Sequence, residues 1–229
     1  MTDIHSHVLP CVDDGSESNE DSVAILKEEA AQGVKNVILT PHYRPPFLKE
    51  KSELKERFES FKKFVKEQGV DVNLYLGQEI YVREKTVSLL NEGKLLTLND
   101  TKYVLAEFST SHRSDVTEAV YGLTINGYIP IVAHIERYSY LGVSDAEEIK
   151  SLGGLIQVNA ASVLGKPRGE YRKRVKKLIK AGLVDFVASD VHFVRKNYMR
   201  DAYRYVEKKF GESQAEKLFF TNAEKIIGK

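Results

Sequence analysis

Seven short apolar runs punctuate the chain at residues 3–7, 36–40, 73–79, 103–108, 129–133, 155–159 and 185–189, most of them rich in Val, Ile, Leu or Tyr. Runs this short, and near-continuous rather than alternating, predict parallel strands buried on both faces. Between them the apolar positions switch to helical spacing. Val23, Leu26 and Ala30 follow the capping pair Ser18 and Asp21 and stop at Gly33. Leu54, Phe58, Phe61 and Val65 form one face of a second helix, which ends near Gly69. Residues 115–125, 145–152 and 171–181 predict further helices, with Gly127, Gly153 and Gly182 near their C-terminal ends, and 200–210 and 215–227 finish the chain. Strand, helix, strand repeated without interruption implies right-handed crossovers and a parallel α/β sheet.

Seven strands are one short of the common eightfold barrel. The polar residues decide between a barrel and an open sheet. His5, His7, His42, His134, Glu79, Glu107 and Asp190 each fall at or within about two residues of a strand end, and His192 follows just behind. An open doubly wound sheet concentrates ligands at one switch point, whereas here almost every strand end carries a candidate. The expectation is therefore a closed or distorted barrel with its site at the C-terminal ends of the strands. The 229 residues suit one large domain spanning 1–229, with no repeat or linker to divide it.

Composition narrows the partners. The 34 Lys and Arg against 33 Asp and Glu leave a net charge of +1, so bulk charge gives no reason to expect nucleic-acid binding. No stretch approaches the roughly 18 to 20 apolar residues of a membrane span. The start MTDIHSHVLP lacks the basic and apolar regions of a secretory leader. Cys11 is the only cysteine, which precludes an intrachain disulfide and fits a reducing, cytoplasmic location.

His5-Ser6-His7 is the sharpest local motif, because residues two apart on an extended strand face the same way and can approach one cation. An isolated pair of this kind is as readily a pair of satisfied core histidines. Pro41-His42, Gln78-Glu79, Ala106-Glu107, Ala133-His134 and Ser189-Asp190-Val191-His192 repeat its design, an apolar strand followed by an imidazole or a carboxylate. A carboxylate at a buried strand end carries a large desolvation cost that a cation offsets. Mixed imidazole and carboxylate donors without thiolate suit Mn, Fe, Zn or Co, and there are too many of them for one tetrahedral ion. A cluster of two or three ions is the better reading.

The segments DIHSHVLPCVDDG, TPHY, GQEIY, LAEFS, IVAHIERY and ASDVH resemble the manganese-dependent bacterial tyrosine-protein phosphatases of the polymerase and histidinol phosphatase (PHP) superfamily. These enzymes are associated with capsular and exopolysaccharide synthesis. The resemblance runs from Met1 to about Ile227. It implies a distorted seven-stranded TIM-like barrel, the PHP fold, around a three-metal centre, with Mn²⁺ as cofactor and phosphotyrosine on a bacterial tyrosine kinase as substrate. By that resemblance His5, His7, Glu79 and Asp190 hold one ion. Glu79 bridges to a second, held also by Glu107 and His134, and Asp14, His42 and His192 hold the third.

Arg137 and Arg195, each three residues past a motif histidine, are placed to meet phosphate, since a guanidinium fork matches phosphate oxygens. Arg137 matches the IERY motif directly, Arg195 requires a small deletion, and Arg44 is a weaker candidate. The expected reaction is hydrolysis of a phosphomonoester by a metal-activated hydroxide, with Arg137 and Arg195 adding charge where it develops and His42 or Asp190 assisting departure of the tyrosinate. Cysteine-based phosphatase chemistry needs an arginine six positions after the nucleophile. Glu17 stands there, so Cys11 reads as a packing residue. His112 reads as a loop histidine, and the basic segment 166–177 as a solvated helix face or, alternatively, a lure for an acidic kinase tail. Two other functions compete: a small-molecule phosphomonoesterase of the same superfamily acting on histidinol phosphate or a nucleotide, and a catalytically silent metal-binding scaffold.

Overall fold

The computed structural model describes residues 1–166, 168–192 and 197–228. Its strands are β1 (Thr2–Ser6), β2 (Asn36–Leu39), β3 (His42–Tyr43), β4 (Asn73–Leu76), β5 (Glu79–Tyr81), β6 (Tyr103–Glu107), β7 (Ile129–Val132), β8 (Leu155–Asn159) and β9 (Phe186–Ala188). All their pairings are parallel, in the orders β1-β2-β4 and β3-β5-β6-β7-β8-β9. The two sheets are continuous in space. β3 prolongs β2 and β5 prolongs β4, so nine strands fill seven stave positions among the described residues. The ring returns on itself where the Asp190 amide donates to His5 O and the His7 amide donates to Val191 O, both at 2.9 Å. The result is a curled parallel sheet forming a distorted α/β barrel, as the seven apolar runs predict.

The breaks in the second and third staves have local causes. Pro41 has no N–H to give the ladder and ends β2. Gly77 lies so close to Leu98 that a Cβ there would sit 2.6 Å from Leu98 Cδ2. Runs expected as single strands over 36–40 and 73–79 therefore each resume a few residues later at a new angle, as β3 and β5.

Alternating positions on the strands supply two hydrophobic layers. Val37, Leu39, Leu74, Leu76, Val132, Ile156, Val158 and Val187 face outward and pack in one cluster with Leu26, Leu54, Phe58 and Phe61 of the surrounding helices. Ile4, Ile38, Leu105, Ile131 and Phe186 form a second cluster with Ile226 and Ile227. The C-terminal helix Asn222–Ile227 thus contributes to the interior, anchored by Asn222 Nδ2 donating to Asp185 O at 2.7 Å and by Asn99 Nδ2 donating to Ile226 O at 2.9 Å. The expected helices form with small shifts, at Asn19–Ala31, Lys51–Glu67, Val116–Ile125, Val143–Ser151, Gly169–Lys180 and Met199–Phe210. The segment expected as one helix over 215–227 instead runs through Glu212–Glu216, a wide π turn at Lys217–Thr221, and Asn222–Ile227. Helices Thr86–Asn91 and Ala160–Val163 were not expected; at six and four residues they are too short to show a periodicity. No helix among the described residues is long and apolar enough to cross a membrane.

Candidate metal centre

The residues singled out at strand ends converge at one mouth of the ring. His5 lies on β1 and His7 just after it, His42 opens β3, Glu79 opens β5, and Glu107 closes β6. His134 follows β7, and Asp190 and His192 follow β9. His134 and Asp190 turn out of their strands in the left-handed region, at φ 33° and 50°, a conformation that costs non-glycine residues on the order of 1–3 kcal/mol and concentrates at functional sites. All of these side chains are buried except Glu107, which is partly so, while Asp14 stands at the rim with 45 % of its side chain exposed.

The donor atoms form overlapping groups. His5 Nε2 and His7 Nε2 are 3.1 Å apart; Glu79 Oε2 lies 3.3 and 3.2 Å from them, and Asp190 Oδ1 3.6 Å from both. On the other side of Glu79, Oε1 lies 2.9 Å from His134 Nε2, which is 3.9 Å from Glu107 Oε1. His42 presents Nδ1 to Glu79 Oε2 at 2.9 Å and to Glu107 Oε2 at 3.6 Å, while its Nε2 faces Asp14 Oδ1 at 3.4 Å. His192 Nε2 is 3.6 Å from the same Asp14 oxygen. Glu79 occupies the junction expected of a bridging carboxylate. The grouping differs from the expected partition: His5 rather than Glu107 joins Glu79 and His134, His42 serves the Glu79 and Glu107 group, and His7 also joins Asp14, His42 and His192.

The residues present fit divalent cations. Glu79 Oε2 and His42 Nδ1 are buried and close, yet neither makes a hydrogen bond, and Glu107 Oε2 is likewise unsatisfied. Their lone pairs face shared space rather than one another's protons. Bonds of about 2.0–2.2 Å in a tetrahedral site require donor separations of about 3.3–3.6 Å. Five of the six separations among His5, His7, Glu79 and Asp190 lie at 3.1 to 3.6 Å.

Electrostatics agree. Burial together with the neighbouring Glu79 pushes the Glu107 carboxyl up to about 8, the mark of a pocket with more negative charge than it can hold unaided. Burial also opposes ionisation of Glu79, but His5 and His42 hold its carboxyl well below the ordinary range. Burial, with Arg137 adding to it, brings His134 down to about 4, so its imidazole is neutral at pH 7 and in the ligating form.

Several supporting residues escaped sequence reasoning. Asp13 Oδ2 lies 2.7 Å from His7 Nδ1 and accepts the His42 amide at 3.0 Å, fixing two candidate ligands at once. Gln157 Oε1 lies 3.2 Å from His5 Nδ1 and accepts the His134 amide at 2.8 Å. Asn159 Nδ2 donates to Asp190 Oδ2 at 2.7 Å. Gly15 packs on His7, and a Cβ there would lie 2.1 Å from His7 O. The available signal was a polar residue inside an apolar run for Gln157 and Asn159. For Asp13 there was none, since Asp13 and Asp14 are adjacent identical residues.

Arg137, on the single turn Ile135–Arg137, reaches the cluster with Nη1 3.2 Å from Asp190 Oδ2 while a third of its side chain stays exposed. Arg44 Nη2 lies 2.9 Å from Asp14 Oδ2 and 3.1 Å from His42 Nε2, placing a second guanidinium on the rim. Arg195 falls outside the described residues. Cys11 is exposed, its Sγ donating to Glu17 O at 3.0 Å, so the expectation of a packing residue is corrected: the turn at φ 60° directs it to solvent. His112 lies on an exposed loop, 2.9 Å from Ser111 Oγ and apart from the donor groups.

A parallel α/β barrel with overlapping imidazole and carboxylate groups at the C-terminal mouth defines the class of candidate metal-dependent barrel hydrolases. The chain belongs to the CpsB/CapC family of capsular polysaccharide synthesis, whose family model matches residues 1–228. It is 36 % identical to the tyrosine-protein phosphatase CpsB of Streptococcus pneumoniae, covering 99 % of this chain and 98 % of that one. It is 34 % identical to the tyrosine-protein phosphatase YwqE of Bacillus subtilis, covering 99 % and 91 %. A solved structure from work on YwqE of Bacillus subtilis and CpsB of Streptococcus pneumoniae, described as unique metal-dependent tyrosine phosphatases, superposes with a TM-score of 0.89 at 32 % identity, covering 94 % of this chain and 90 % of that one.

Proposed function

We propose that residues 1–229 act as one metal-dependent protein-tyrosine phosphatase domain, hydrolysing phosphotyrosine on a partner bacterial tyrosine kinase in the cytoplasm and thereby regulating capsular or exopolysaccharide synthesis. The observation that carries the reading is Glu79, whose two oxygens each face separate histidines inside a cluster flanked by Arg137. Relatives over the whole chain are named tyrosine-protein phosphatases. We assign one ion to His5, His7, Glu79 and Asp190, a second to Glu79, Glu107 and His134, and a third to Asp14, His42 and His192, with Mn²⁺ as the native metal. Such ions supply Lewis acidity and acidify bound water. Arg137 presents its fork to the phosphoryl oxygens while Asp190 fixes its orientation. We assign to His42 and Asp190 the part of assisting departure of the leaving oxygen. Tyrosinate, with a pKa of about 10, departs more readily than an alkoxide, which suits a site without an activated thiol.

The test compares phosphate release from a phosphotyrosine peptide and from histidinol phosphate with Mn²⁺ added, for wild type and His5→Ala. Preference for the peptide, lost in His5→Ala, supports the reading. Preference for histidinol phosphate, or full activity in His5→Ala, overturns it.

A further inference from the structure

Two cavities open beside the cluster and meet at the same pair of arginines. One, of about 500 Å³, is lined by Arg137, Asn159, Lys166, Arg168 and Asp190 among others. Its neighbour, of about 380 Å³, is lined by Thr110, Arg137, Arg168, Glu170, Tyr171 and Arg174 among others. Together they form a trough that starts at the candidate phosphate residue Arg137 and runs along the first turn of helix Gly169–Lys180.

Its charges are unevenly committed. Arg174 is tied down, donating to Tyr138 O and to Leu141 O. Arg137 is committed to Asp190. Among the described residues, the acidic partner of Arg168, itself two-thirds exposed, is an exposed Glu170 oxygen at 3.7 Å, and its guanidinium lies over the Tyr171 ring at 5.9 Å. An exposed pair at that distance is weak and readily exchanged. Lys166 adds a second cation on the same wall. Away from the metal donors, the described lining thus carries Lys166, Arg168 and Arg174 against the single acid Glu170. A basic trough continuous with a phosphate site favours an acidic polypeptide over a neutral one, chiefly through encounter and orientation.

Resting on the phosphatase reading, we propose that this trough docks the polypeptide flanking the phosphotyrosine, with Arg168 selecting an acidic residue beside it. Arg168 acts on substrate choice, and the metal donors and Arg137 act on the phosphoryl group. The basic segment 166–177, a solvated face in the bland reading, then divides. Arg168 and Lys166 serve substrate, Arg174 braces the loop after Arg137, and Val175 packs in the core.

The experiment measures kcat/KM with Mn²⁺ for paired phosphotyrosine peptides whose neighbouring residues are Asp and Glu in one and Lys in the other, at low and high salt, on wild type, Arg168→Glu and Arg168→Lys. Wild type should prefer the acidic peptide about fivefold, mainly through KM, with the preference shrinking in high salt. Arg168→Glu should abolish or invert it, and Arg168→Lys should keep most of it. Equal use of both peptides by wild type, or the same preference in Arg168→Glu, overturns the docking role while leaving the phosphatase reading intact. Failure to hydrolyse either peptide overturns both. Preference for adenosine monophosphate over both peptides would mark the trough as a nucleotide site and sink the proposal.

Discussion

At the scale of single residues, the cluster depends on side chains that hold ligands as much as on the ligands. Asp13 grips His7 through Nδ1 and His42 through its amide, so its carboxylate sets the tautomer of one imidazole and the backbone of another. Asp13→Asn should weaken metal binding about 10–100-fold in a metal titration while leaving the fold intact by circular dichroism. Arg137 differs, since it offers an exposed fork while anchored to Asp190. Arg137→Lys keeps the charge and loses the fork; it should retain full metal content yet lower kcat/KM on phosphotyrosine peptide about 10²–10³-fold in steady-state assays. The candidate ligands other than Asp14 were legible because each lies at or just past the end of an apolar run. Asp13 was not, because only folding tells it from Asp14: one turns inward to His7 and the other to the rim.

At the scale of elements, β1 shows how the barrel aims its chemistry. Strand alternation would place Ile4 and His5 on opposite faces. Ile4 nevertheless joins the interior cluster, and His5 reaches Gln157 and Glu79 inside the ring, while the Asp3 carboxylate accepts the Ser189 and His5 amides. The β1–β2 register shifts between Asp3 and Ser6, and such an irregularity re-aims a side chain next to a site. The HxH spacing predicts a shared face through a regular strand; the two imidazoles do approach to 3.1 Å, but through a break in the pleat. The first helix followed its local signals more closely. Ser18 accepts the Asp21 amide at 3.1 Å, the capping pair visible in the sequence. Ser18→Ala should lower unfolding stability by about 1 kcal/mol in urea titrations, with no change in metal affinity beyond experimental error. The C-terminal segment did not follow the sequence, because its apolar residues serve both the interior of the ring and the outer layer, and the π turn at Lys217–Thr221 changes the face between them.

At the scale of the whole molecule, folding gathers nine polar donors from across the chain, and the cost of taking them out of water must be offset. A cation that binds only the native state stabilises it by about 2.7 kcal/mol at one hundred times its dissociation constant. Chelation should therefore lower the melting temperature by about 5–10 °C in calorimetry, and re-addition of Mn²⁺ should restore it. A second polar centre lies outside the cluster. Burial, and then the nearby Asp3 carboxylate, push Glu29 well above the ordinary range, although Asn197 Nδ2 donates to it at 2.8 Å. Below about pH 4.3 the group is protonated in both states and costs nothing. As pH rises above that value the unfolded chain ionises while the native one holds its proton, so this group removes stability with rising pH. Glu29→Gln should accordingly be increasingly stabilising relative to wild type from pH 4.5 to 8, read from urea midpoints at each pH.

The sequence by itself determined the alternation of strands and helices, the parallel sheet, and eight of the nine candidate donors, because burial of apolar runs and the cost of burying charge are local properties that composition and spacing reveal. Asp14 came only through resemblance to a family. Tertiary structure alone decided how the donors group. It closed the ring through Asp190 and Val191, turned His134 and Asp190 into left-handed conformations, and set Glu79 between separate histidines. Those arrangements depend on distances between residues far apart in the chain, and no local pattern encodes them.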